Sequence, residues 1–257
     1  MRALPKAKLR AYQGTGPKCP VQSIEVRSVS DFVEVVAGLS GNVFWFRGHA
    51  DRTYRLVPGA LRPRAIAKRR AALALLDSFR RYAFSMVQPR PATHAEWLNI
   101  AQHYGLPTLL LDWSENPLVA LYFACDGIAD GAVYIMSPTD LNTGGMGESR
   151  VLDFEKDGFE SYFNLEPVSD RAGLPTVAVN PVYNSSRIAR QQGKFTLHGN
   201  RNMELNGRNC TSLVCIPILR KHKARIREQL SAIGISRMHM FPEPEHLCRY
   251  LRERDGV

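Results

Sequence analysis

The chain has 257 residues, 44% of them hydrophobic and 23% charged, and a formal net charge of +10. This is the composition of a globular chain with one large domain, and no apolar run approaches the roughly 18 residues that a membrane-crossing helix needs. The five cysteines, at 19, 125, 210, 215 and 248, are odd in number and fall in no CxxC or Cys/His spacing, which argues against a zinc site and for a reducing, cytoplasmic setting.

The positive charge suits an acidic partner: nucleic acid, the phosphates of a nucleotide, or an acidic antitoxin-like protein. It does not choose among them. Residues 1–22 read as a flexible basic tail, with Arg2, Lys6, Lys8 and Arg10 ahead of Gly14, Gly16, Pro17 and Pro20. That stretch lacks the apolar segment of a secretory signal. Residues 23–257 then read as a single domain.

In chain order, Ser28 or Ser30 caps a short helix over 31–39 with Phe32, Val35 and Val36 inward. Gly41-Asn42 is a turn. Residues 43–46, VFWF, form a strand of β-branched and aromatic side chains, which ends in Arg47-Gly48-His49. A guanidinium at a strand end is a fork for phosphate or carboxylate; a structural pair with Asp51 or Asp112 is the other reading. After a loop over 51–63 comes a helical run over 64–86, with Ile66, Leu73, Leu76, Phe79 and Ala83 on one face. Thr93 and Glu96 form a capping box for the next helix.

The stretch from Trp97 to Ala124 organises the rest. A helix ends at Tyr104-Gly105. A strand over 108–111 runs into Asp112-Trp113-Ser114, and Asn116-Pro117 opens an almost wholly apolar helix. The polar triplet is held between a buried strand and a buried helix start, where the helix dipole favours a carboxylate. Asp112 is thus either a structural tie or a site residue. Trp113 reads as core or stacking platform, and His103 as a ring bonded to a carbonyl or a ligand contact.

Further on, 132–136 reads as a strand, 140–148 as a glycine-bearing loop, 149–175 as irregular and 176–179 as a short strand. The polar group Arg187 to Phe195 carries adjacent amides, Gln191 and Gln192, at the entrance of a strand. A strand over 213–218, a helix over 221–233, a strand over 238–241 and a helix over 245–252 complete the chain. No GxGxxG fingerprint, GxSxG elbow or HExxH motif is present. The irregular alternation gives an α+β fold.

Phe46-Arg47-Gly48, with LVPGALR over 56–62, resembles the opening of the FRG domain family. AQHYGLPT over 101–108, LLDWS over 110–114, Asn116-Pro117 and ALYFA over 120–124 resemble its central motif. Arg187-Ile188 with QQGKF over 191–195 resembles its third block, and the likeness spans roughly 23–253. Members are bacterial and phage proteins, some resembling toxins or defence components.

A more distant resemblance is to ADP-ribosyltransferases of the Arg-Ser-Glu type. It implies an ADP-ribosyltransferase-like split mixed sheet, with a helical segment between the first two core strands. It implies NAD as substrate, with Arg47, Gly48, His49, His103, Thr108 and Trp113 as NAD contacts. It assigns catalysis to Arg47, Asp112, Ser114, Gln191 and Gln192: Arg47 gripping the dinucleotide, Asp112 or Ser114 at the nicotinamide ribose, and one Gln in place of the usual acid. Asp112 departs from the family's Ser, and a neutral Gln cannot act as a base. The expected activity is ADP-ribosyl transfer or NAD hydrolysis, without a metal. The alternative is a non-catalytic module that binds nucleic acid or an acidic protein.

Overall fold

In the computed structural model, residues 25–39 and 43–255 are described. The expected tail over 1–22 and the turn at Gly41-Asn42 lie outside them. The elements, in order, are α1 (Val29–Ala37), β1 (Trp45–His49), α2 (Ile66–Ala83), α3 (His94–His103), β2 (Leu110–Ser114), α4 (Pro117–Ala124) and β3 (Gly131–Met136). There follow α5 (Pro138–Met146), β4 (Leu152–Asp153), α6 (Glu160–Phe163), β5 (Val177–Asn180), α7 (Ser186–Arg190) and β6 (Gly193–Leu197). The chain closes with β7 (Val214–Ile218), α8 (Arg220–Ala232), α9 (Arg237–Met240) and α10 (Pro244–Asp255).

The strands make one seven-stranded mixed sheet in the order β4-β5-β6-β2-β1-β3-β7, parallel between β4 and β5 and antiparallel elsewhere. The α+β expectation holds, and α2 and α3 are the helical segment between β1 and β2. The sheet is continuous but weakest at its centre. β1 and β2 pair only at Phe46 opposite Ser114, whereas β1–β3 and β2–β6 each pair along the full strand.

Side-chain alternation explains what that weak seam becomes. On one face, α1, α4 and α8 cover the β1, β3 and β7 half, over Phe46, Val133, Ile135, Ile216 and Ile218. On the same face α2 and α3 cover the β2, β5 and β6 half, over Leu110, Val177, Val179, Phe195 and Leu197. These are two separate cores, and a cleft lies between them. The opposite face is a single core of Trp45, Leu111, Trp113, Tyr134, Met136 and Cys215, closed by α5 and the loop around Leu205 and Leu213. The back of the sheet therefore holds together while the front opens.

Several expectations change. β1 does not end at Phe46 but runs on through Arg47, Gly48 and His49. The reason is packing: a Cβ on Gly48 would lie 1.9 Å from the Ala120 carbonyl oxygen, so α4 rests directly on the strand backbone. Gly131 in β3 repeats the contact, 2.0 Å from the Ala124 oxygen. Likewise β2 absorbs Asp112-Trp113-Ser114.

The supposed loop over 140–148 is mostly α5, started by the Ser137 cap and Pro138 and stopped by Gly147 at φ +78°. Its two internal glycines are overridden by Leu141 and Asn142, which are buried. Asn142 bonds both the N–H and the C=O of Ala178, standing in for a strand neighbour. The supposed strand over 238–241 is the one-turn helix α9, because Met240 is buried by that turn. The region 149–175 contains β4 and α6. Cys125, Cys210 and Cys248 are free thiols, while Cys215 is disulfide-bonded, a pairing that the scattered cysteines did not suggest. No helix among the described residues is long and apolar enough to cross a membrane.

Candidate active-site cleft

The cleft has a volume of about 240 Å³ and opens at the β1–β2 seam. Arg47 and Gly48 line it from β1, Asp112 and Ser114 from β2, Asn99, Gln102 and His103 from α3, and Arg187 and Gln191 from α7. Phe46, Phe123 and Phe195 give it apolar walls.

Arg47 spans the seam. Its Nη1 donates to the backbone oxygen of Asp112 at 2.5 Å and lies 3.5 Å from the Asp112 carboxylate. Its Nε donates to His49 Nε2 at 2.9 Å. The guanidinium thus does the work of the missing ladder bonds. Burial lowers its pKa first, Asp112 opposes that shift, and the nearby Arg62 adds to it; a guanidinium still stays charged. His49 is buried with its ring edge-on to Tyr134. Burial, and then the charge of Arg47, hold its pKa well below the usual value. A neutral imidazole is what the Arg47 N–H needs as acceptor.

Asp112 is the open member: its side chain is 53% exposed, against 16% for Arg47. Gln102 aims it. Gln102 Nε2 donates to both Asp112 carboxylate oxygens, at 3.1 and 3.0 Å. Thr108 Oγ1 donates to Gln102 Oε1 at 2.5 Å, which fixes which end of the amide faces Asp112. Thr108 itself is buried and stands behind Gln102, outside the cleft lining. It supports the site rather than facing it.

Ser114 is buried and fully engaged. Its hydroxyl contacts Gln191 O at 2.6 Å and Asn116 O at 3.2 Å and accepts from Asn116 N at 2.9 Å. It fastens the end of β2 to the start of α4 and to the turn before β6. The two glutamines separate. Gln191 lines the cleft, with Nε2 bonded to Met240 O at 2.8 Å. Gln192 forms the turn itself, at φ +46°, and its carbonyl accepts from Glu115 N; it is absent from the lining.

The Trp113 indole turns to the opposite face, where Nε1 donates to Thr196 Oγ1 at 3.1 Å within the continuous core. His103 lines the cleft, with Nε2 3.4 Å from Glu243 and Nδ1 3.4 Å from Ser185 Oγ. Burial lowers its pKa, Arg187 lowers it further and Glu243 opposes them.

Of the residues expected from the sequence, Arg47, Gly48, Asp112, Ser114, Gln191 and His103 meet in the cleft. Gln192, Thr108 and His49 sit behind or away from it, and Trp113 lines it while its indole lies in the opposite core. Gln102, Asn99 and Arg187 line it as well, beyond the residues expected from the sequence. Asn99 is fully buried, and its Oδ1 has no hydrogen-bond partner among the described residues. The signal for Asn99 and Gln102 was available: with His103 they lie three and four residues apart or adjacent, on one side of α3. Among the described residues, no group of three or more His, Cys, Asp or Glu side chains is arranged to hold a metal ion.

Residues 42–132 match the model of the FRG domain family, which covers β1 through the start of β3 and hence the Arg47 and Asp112 walls of the cleft. No curated protein and no solved structure matches the chain. The wall from α7 and the Gln191 turn lies beyond the matched residues.

Proposed function

We propose that the cleft binds the nicotinamide–ribose end of NAD and breaks its glycosidic bond, as an ADP-ribosyltransferase or NAD glycohydrolase of the toxin or defence kind. The observation that carries this reading is the weak β1–β2 seam. It sets an aimed, accessible carboxylate, Asp112, beside a buried fixed cation, Arg47, in a cleft with aromatic walls.

The chemistry that fits is dissociative. The C1′–N bond breaks, its electron pair goes to the pyridinium nitrogen, and neutral nicotinamide leaves. Positive charge develops on the ribose, and Asp112, preoriented by Gln102, is placed to stabilise it. Water or an acceptor then donates a lone pair to C1′ and loses a proton. Ser114 takes no chemical role in this reading, because its hydroxyl is committed to chain geometry. Gln191, rather than Gln192, is the amide that faces the ligand.

The test is release of nicotinamide from NAD labelled in that ring, together with transfer of label from the adenylate side to protein or nucleic acid. Release by wild type that falls at least about a hundredfold in Asp112→Asn, with the variant folded, supports the reading. Absence of release and of transfer at millimolar NAD overturns it.

A second reading has its own support. Ser114, Gln191 and Gln102 all make bonds that hold elements together, as a binding module without catalysis requires. Its partner would be nucleic acid or an acidic protein drawn by the net charge of +10.

A further inference from the structure

Arg47 and Gly48 also line a second cavity, a groove of about 780 Å³ between the loop after β1 and the start of α2. The cleft at Asp112 has about 240 Å³, below the roughly 300–1,000 Å³ of ordinary small-molecule sites, whereas the groove falls inside that range. A ligand larger than one ring and one sugar would have to use both, and Arg47 is the junction.

The groove is cationic in a particular way. Arg55, Arg62, Arg64 and Arg69 line it besides Arg47. Arg55 is engaged by Glu204, with Nε 3.0 Å from the carboxylate. Arg69 is tied to backbone oxygens of Pro63 and Pro167. Arg62 differs. Only its Nε is bonded, to Val57 O at 3.0 Å, and it has no carboxylate partner among the described residues. Its charge reaches Arg47 and His49, disfavouring protonation at both. Arg62 and Arg47 therefore face one groove in which five arginines meet two lining carboxylates, Asp126 and Glu204, the latter held by Arg55, with Asp112 beside Arg47. The repulsion between Arg62 and Arg47 is relieved by an anion held between them, and planar guanidinium groups hold phosphate oxygens in pairs. Tyr54, 57% exposed, adds an open aromatic face on the same groove.

We infer that this groove is the site of a diphosphate-linked nucleotide whose diphosphate bridges Arg62 and Arg47, with the adenosine side toward Tyr54 and the reacting ribose toward Asp112. The identity of the reacting end rests on the ribosyl-transfer reading. Capture of the diphosphate rests on Arg62 and Arg47 alone.

The test is calorimetric titration of inorganic pyrophosphate and of ADP-ribose into the whole chain, as wild type, Arg62→Gln, Arg62→Lys and Arg64→Gln. Wild type is expected to bind both probes. Arg62→Gln should weaken both by about tenfold to a hundredfold, the usual loss for one charged hydrogen-bonding group. Arg62→Lys should recover only part of this, since it keeps the charge and loses the fork. Arg64→Gln leaves the Val57 bond intact and should weaken both probes modestly, which separates charge loss from loop damage. Unchanged binding in a folded Arg62→Gln, or no pyrophosphate binding by wild type, overturns the inference. So does a single-stranded oligoribonucleotide, titrated in parallel, whose binding Arg62→Gln weakens while pyrophosphate and ADP-ribose binding stay unchanged, which would make the groove a nucleic-acid surface. Pyrophosphate and ADP-ribose binding through Arg62 in a protein that releases no nicotinamide would uphold the groove and sink the ribosyl-transfer reading.

Discussion

Arg47 Nη1 donates to the backbone oxygen of Asp112, across the seam where β1 and β2 pair at one position only. A side chain thus replaces the ladder at the centre of the sheet. The same guanidinium faces the cleft and the groove, so fold and site share one residue.

Changing Arg47 should therefore cost both stability and ligand binding. Arg47→Met leaves the Asp112 carbonyl and His49 Nε2 without their donor, and a lost partner of this kind costs about 1–3 kcal/mol. Arg47→Lys keeps the charge but cannot reach His49 and Asp112 at once, so it should recover stability incompletely. Urea unfolding and ADP-ribose titration of the two variants check this; a wild-type unfolding midpoint in Arg47→Met would contradict it.

Gly48→Ala tests why the triplet has a glycine. Its Cβ would meet the Ala120 oxygen at 1.9 Å and the Ala124 nitrogen at 2.6 Å, both backbone atoms of α4. Relief requires moving the helix, and overpacking of this severity costs about 3 kcal/mol or more. The comparison is Gly105→Ala, at φ +81° with nothing within 4 Å, which should lose only about 1 kcal/mol. The expected result is poor soluble yield or a strongly lowered midpoint for the first and a mild shift for the second.

Gln102 is a positioning residue for Asp112. Gln102→Leu removes both bonds to the carboxylate and leaves Thr108 Oγ1 without its acceptor. If Asp112 acts on NAD, turnover should fall by about tenfold to a hundredfold through lost orientation, with KM changed far less. A purely structural role would instead lower the unfolding midpoint and leave kcat per folded molecule unaltered.

Acid should unfold the protein through its buried histidines. His198 is pushed down to about 3 by burial. Its Nδ1 faces the Met203 oxygen and its Nε2 the Thr196 hydroxyl. Trp113 Nε1 donates to that same hydroxyl, so donation runs Trp113 to Thr196 to His198 to Met203 only while His198 is neutral. The unfolded chain takes up the proton near the ordinary value of 6.5 and the folded chain near 3. Between those values the unfolded state holds more protons, so stability falls as pH falls. His49 acts in the same direction. Urea midpoints should drop from about pH 7 to about pH 5, and His198→Gln should flatten that slope at the expense of some stability at neutral pH.

Much of this was legible in the residues themselves. The Thr93–Glu96 capping box, the Asn116 cap with Pro117 and the apolar strands are local devices. Each is specified by neighbours a few residues away, so sequence spacing alone reads them. Arg47, Asp112 and Gln191 likewise stood out as polar residues at the edges of strongly patterned segments, though their meeting in one cleft was not readable from spacing.

What the tertiary structure alone decided is which way side chains face and what they touch. A strand has period two, so the continuation of β2 through residues 112–114 sends Asp112 and Ser114 to the cleft and Trp113 into the opposite core. Whether Gly48 ends a strand or lies under a helix depends on α4. Whether a glycine-bearing stretch becomes α5 depends on Asn142 meeting Ala178 in β5, 36 residues away. Such contacts join distant parts of the chain, and no local pattern encodes them. The seam that forms the cleft is of this kind: its width is set by two helix layers packing separately on one face of a single sheet.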